Sequence, residues 1–141
     1  MSQTNEMVKL AITALEDKKG EDIRVIDIHE VSVLADYFLI ASGSNGNQVQ
    51  AMADNVEEEL GKAGYPCRQV EGYQSANWIL MDYGDIIVHV FDKESRLFYD
   101  IERIWRDGKI MEAGEFAEAE LFNSFYFRNI PFISETRDAE T

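Results

Sequence analysis

The chain is poor in basic residues. Thirteen Lys and Arg stand against 27 Asp and Glu in 141 residues, a formal charge of −14. Without a Lys/Arg excess there are no phosphate counterions to release, which argues against direct nucleic-acid binding. Such a charge suits a soluble protein or one that meets basic partners. The single cysteine, Cys67, excludes an internal disulfide framework. The two histidines, His29 and His89, are far apart in sequence, and no Cys or His stands at zinc-ligand spacing. No apolar run approaches the roughly 20 residues of a membrane span, so no membrane partner is expected. The start, MSQTNEMVKL, has neither the basic, apolar pattern of a signal peptide nor an Arg-rich transit segment, and a cytoplasmic protein is expected.

What is present is an ordinary folding composition, 45% hydrophobic and 28% charged, enough for one domain with a real core. Thr4 can cap a first helix carrying Met7, Leu10, Ala11, Ala14 and Leu15 at helical spacing, ending at Lys18-Lys19-Gly20. Residues 23–28 (IRVIDI) and 37–42 (YFLIAS) read as strands, the second nearly all apolar and therefore central. Asn45 and Gln48 resemble a capping box opening a second helix, with Val49, Met52, Ala53, Val56 and Leu60 as its buried stripe. Gly64 and Pro66 close it, and a third strand is expected over 67–70.

The chain is organised around residues 78–105 (WILMDYGDIIVHVFDKESRLFYDIERIW). Strands 78–82 and 86–91 flank Tyr83-Gly84-Asp85, a hairpin signal. Both faces of each strand are largely apolar, as in a covered sheet. Asp92 can cap a helix in which Leu97, Phe98, Ile101, Ile104 and Trp105 recur at helical spacing. Left outside this expected core are Asp82, Tyr83, Asp85, His89, Arg96, Tyr99 and Glu102, the last paired with Arg106 at i, i+4. Aromatic side chains among charged ones are the usual substance of interface hot spots. After Asp107 the character changes: a helical segment over 112–123, then SFYFRNIPFIS, an aromatic run expected to fold back on the domain or dock on a second chain. The element order α-β-β-α-β-β-β-α gives an α/β fold, a mixed sheet flanked by helices.

Gly43-Ser44, between a strand and a helix, has the setting of a phosphate cradle. The same pair opens the signature of nucleotidyltransferases, which add closely spaced acidic residues for metal ions. Here Asp54 falls inside a helix, and Asp82 and Asp85 flank a hairpin turn, so the second half of that signature is missing. A metal-dependent nucleotidyltransferase using Gly43-Ser44 with Asp82 or Asp85 is the alternative reading, and a dimerising adaptor is a third. His89 reads as a structural histidine more readily than as a base or ligand, and no catalytic constellation, metal site or cofactor site emerges.

Several segments in collinear order resemble the ribosomal silencing factor (Iojap-related) family. They are ADYFLIASG over 35–43, Gln48 to Ala53, Glu71-Gly72, Trp78-x-Leu80-x-Asp82-Tyr83-Gly84-Asp85, Val88-His89-x-Phe91, Arg96-x-Phe98-Tyr99 and Glu102-x-x-x-Trp105. The resemblance covers about residues 5–107 and implies a nucleotidyltransferase-like fold without the enzyme's metal site. It divides the chain into a silencing-factor domain, 1–107, and an aromatic-rich extension, 108–141. It further implies a non-enzymatic homodimer that binds the large ribosomal subunit through large-subunit ribosomal protein fourteen. Bound there, the protein would block subunit joining and repress translation when nutrients are short. The partner-binding residues carried over are Trp78, Asp82, Tyr83, Asp85, His89, Arg96 and Tyr99. On this reading Trp78→Ala or Tyr83→Ala should abolish ribosome binding, measured by co-sedimentation, with the fold largely intact.

Overall fold

The computed structural model describes residues 2–29, 35–104 and 109–112. Helix α1 (Gln3–Asp17) leads into β1 (Glu21–Asp27) and β2 (Tyr37–Gly43), followed by α2 (Gly46–Lys62). Strands β3 (Gln69–Glu71), β4 (Trp78–Asp82) and β5 (Ile86–Asp92) precede α3 (Lys93–Tyr99), the single turn α4 (Ile101–Ile104) and β6 (Lys109–Glu112). They make one six-stranded sheet in the order β3-β4-β5-β2-β1-β6. Strands β2 and β5 pair in parallel, Tyr37 opposite Ile86 through Gly43 opposite Asp92, while the other neighbours are antiparallel. A parallel pair needs a long crossover, and α2 lies within it.

Alternation along the strands divides the core in two. Val25, Leu39, Met81, Val88 and Val90 face α1 and α2, whose stripes of Val8, Ala11, Leu15, Val49, Met52 and Val56 cover them. On the other face Ile26, Phe38, Ile40, Trp78, Leu80, Ile87 and Phe91 pack with Ile101. At the β4–β5 turn Gly84 takes φ +87, where a side chain would be strained, and Asp82 Oδ1 accepts the Gly84 N–H at 2.8 Å.

Three boundaries differ from the sequence pattern. Ser2, rather than Thr4, caps α1: its hydroxyl accepts the Asn5 N–H, and Thr4 instead donates to Asp85 Oδ2. The long helix expected after Asp92 is broken. Asp92 caps α3 through the Ser95 N–H, but Asp100 turns left-handed at φ 49, a conformation Asp tolerates better than most residues, and its carboxylate then accepts from Arg103. In an unbroken helix Leu97 and Ile101, four apart, would share a face. The break lets Ile101 enter the core at 2% exposure while Leu97 and Phe98 stay outside at 82% and 79%. Finally, β6 extends the sheet past residue 107, with Glu112 as its last residue; the rest of the helix expected over 112–123, the aromatic run and Arg106 lie outside the described residues.

One core residue is out of character. Asp27 ends β1 fully buried, its Oδ1 on His29 Nδ1 at 2.8 Å and its Oδ2 without a hydrogen-bond partner among the described residues. Burial pushes its carboxyl up to about 6, against the lowering pull of His29. A folded-state value above the unfolded one means the contribution to stability is present at low pH and lost as pH rises through about 6. The group should therefore remove about 1–2 kcal/mol of stability between pH 5 and pH 7.5. Asp27→Asn should flatten that part of the urea-denaturation pH profile and raise stability at pH 7.5; an unaltered profile would contradict the assignment.

Candidate functional site

The parallel pair sends α2 and α3 from the same end of the sheet to opposite faces. At that end α3 is held down by charge. Arg96, 9% exposed, places Nη1 on Ser42 Oγ at 2.8 Å and clasps Glu102 with Nε and Nη2 at 3.0 and 3.1 Å. Glu102 also accepts from Arg24 Nη1 at 3.3 Å, so β1, α3 and α4 meet at one carboxylate, with β2 joined through Arg96. Glu102 is thus an internal clasp, where the sequence pattern suggested a surface pair with Arg106. A cleft of about 340 Å³ opens beside this network, lined by Asp22, Arg24, Ser42, Lys93, Arg96 and Leu97 among others.

Behind α3 lies a continuous aromatic stack. Trp78 and Phe91, opposite one another in the β4–β5 register, stack at 5.0 Å between centroids. Tyr99 leans on Trp78 at 4.6 Å, and Phe98 meets Tyr99 edge-on at 5.1 Å. Trp78 Nε1 donates to His89 Nδ1 at 3.0 Å, a buried bond that leaves the ring proton on His89 Nε2. The row thus runs from buried His89 through Trp78 and half-buried Tyr99 to Phe98 in solvent.

The seven residues proposed from sequence do not form one surface. Trp78 is 1% exposed, Tyr83 4% and His89 0%, so the expectation that Tyr83 and His89 stand outside the core is corrected. Tyr83 also belongs to the opposite core layer, facing α1 and α2, where burial raises its hydroxyl well above the ordinary tyrosine range. Asp82 and Asp85 sit at the start of β5, whereas Trp78, Arg96 and Tyr99 cluster at its end. Seven strand residues separate those ends by roughly 23 Å. What the sequence pattern missed is the exposure of Leu97 and Phe98. The signal was there in part, since Asp100 can end a helix, but helical spacing alone put both residues in the core.

The same geometry dismantles the phosphate-and-metal arrangement. Gly43, opposite Asp92, lies at the far end of β2–β5 from Asp82 and Asp85. Added bulk at Gly43 would meet Val49 at 3.0 Å and Met52 at 3.2 Å, so close packing of α2 accounts for the glycine. The Ser44 N–H that would face a phosphate donates instead to Gln48 Oε1 at 2.6 Å. Gln48 Nε2 reaches Lys18 O and Lys19 O, joining α2 to the end of α1. Among the described residues no group of three or more His, Cys, Asp or Glu is placed to hold a metal ion, and no helix is long and apolar enough to cross a membrane.

A family model described as "Ribosomal silencing factor during starvation" matches residues 1–125. The chain is 39% identical over 106 residues to ribosomal silencing factor RsfS of Bacillus subtilis, 75% of this chain and 90% of that protein. It is also similar to the mouse protein named mitochondrial assembly of ribosomal large subunit protein 1, at 26% identity over 70% of this chain and 44% of that one. A crystal structure from Chromobacterium violaceum superposes with a TM-score of 0.73 at 39% identity, over 79% of this chain and 93% of that chain.

Burial changes what substitutions here should do. Trp78→Ala removes the centre of the aromatic stack and should cost about 3–5 kcal/mol, read as a lower urea midpoint. A midpoint equal to that of the native chain would return Trp78 to the surface.

Proposed function

This chain belongs to the ribosomal silencing factor family, and we propose that it docks on the large ribosomal subunit and keeps the small subunit from joining. The observation that carries the reading is the outward pair Leu97–Phe98, 82% and 79% exposed, on a short helix clamped by Arg96. Two adjacent large apolar side chains held rigidly in water suit a partner that buries them. In this arrangement Leu97, Phe98 and Tyr99 make contact, while Trp78, His89 and Arg96 position them from behind. Tyr83 supports the fold of the hairpin, and Asp82 and Asp85 offer negative charge at the far end of β5.

The partner we infer is large-subunit ribosomal protein fourteen, as the family resemblance implies. A formal charge of −14 favours a basic protein surface over ribosomal RNA and speeds encounter. The mouse relative's name, which ties that protein to large-subunit assembly, supports the choice of subunit. Occlusion requires a fixed shape at the joining face and no proton transfer, metal or cofactor, so we read the chain as a binding protein acting in the cytoplasm and repressing translation under nutrient limitation. The homodimer belongs to the same proposal and is tested by light scattering over a range of concentrations.

Co-sedimentation with separated subunits, paired with a subunit-joining assay, tests the reading. The full chain should pellet with large subunits only and reduce joining. Phe98→Asp should weaken that binding at least tenfold, about 1.4 kcal/mol, with an unchanged circular-dichroism spectrum because Phe98 leaves no cavity. Native-like binding by Phe98→Asp would move the site off α3, and failure of the full chain to bind large subunits would overturn the function.

A further inference from the structure

We propose that the aromatic segment 121–134 of the same chain docks on the exposed Leu97–Phe98 face of α3, making that face self-covered. Among the described residues the exposed large hydrophobics are Val70, Leu97 and Phe98, and only the last two are adjacent. The chain is delivered to them by the sheet. Strand β6 runs antiparallel to β1, and its last residue, Glu112, pairs with Arg24. Arg24 and Leu97 line the same cleft. The direction of β6 along β1 points toward Glu21, whose carboxylate holds Lys93 at the start of α3 at 2.8 Å. The exit from β6 therefore points at the end of the sheet where α3 stands.

Length and composition fit that destination. Residues 113–120 can span at most about 29 Å when extended, ample to round a single helix. The segment that follows, LFNSFYFRNIPFIS, holds four phenylalanines and a tyrosine, a composition that gains by leaving water. Because the segment is tethered beside its seat, its effective concentration there is far above that of any free partner. A weak contact would suffice to occupy the face. If the docking reading above is right, the tail and the large subunit compete for α3; the seat of the tail does not depend on that reading.

Trypsin cleavage after Arg128, inside the segment, reports whether the tail is seated, and the assay contains no ribosome. In the full chain, Leu97→Ser with Phe98→Ser should accelerate this cleavage at least tenfold at an unchanged urea midpoint. Phe125→Ser with Phe127→Ser should do the same, and all four substitutions together should add nothing more, since both pairs would break one contact. Equal cleavage rates for the native chain and the α3 variant would overturn the proposal, as would fully additive effects. Acceleration confined to concentrations at which the native chain self-associates would assign the face to a second copy and also overturn it.

Discussion

The parallel pairing of β2 with β5 is the constraint on which the rest of the molecule hangs. It aligns the ends of two apolar strands, Gly43 beside Asp92, and obliges the chain to leave from one end of the sheet twice. The first departure becomes α2, which packs closely over Gly43 through Val49 and Met52. The second becomes α3, on the other face. Two long helices cover one side of the sheet, while among the described elements the other side has only the short α3 and α4. The unevenness places the aromatic stack and its exposed end on the thinner side.

Short helices have little intrinsic stability, so α3 depends on tertiary contacts. Arg96 supplies them, with a nearly buried guanidinium satisfied by Ser42 and by both oxygens of Glu102. A charge this buried is tolerable only because its hydrogen bonds are made. Trp78 solves the same problem differently: its indole N–H, taken out of water, finds His89 rather than a backbone oxygen. Polar residues that look like site candidates in the sequence thus serve to hold the aromatic row in register. The exposed apolar surface is made by their neighbours Leu97 and Phe98.

The acidic composition acts at longer range. A charge of −14 steers toward basic surfaces and away from phosphate, but it is spread along the chain and specifies no contact by itself. What is local is the apolar pair on α3, where Leu97 and Phe98 stand exposed among the described residues.

Period and turn chemistry in the sequence determined the helices α1 and α2, the strands β1, β2, β4 and β5, the hairpin at Gly84 and the cap at Asp92, because each depends on neighbours within a few residues. Collinear motifs determined the family. Burial followed a different rule. Whether Tyr83, His89 and Arg96 lie inside or outside depends on which strand or helix lies opposite, and those elements are far away in sequence, as Ser42 is from Arg96, 54 residues off. The left-handed turn at Asp100 was local in principle, yet helical spacing across it looked unbroken. Only the packing of Ile101 against the sheet decided that the helix ends there and that Leu97 and Phe98 face outward. Tertiary structure likewise separated Gly43 from Asp82 and Asp85, since strand direction, which no local pattern carries, put them at opposite ends of the sheet.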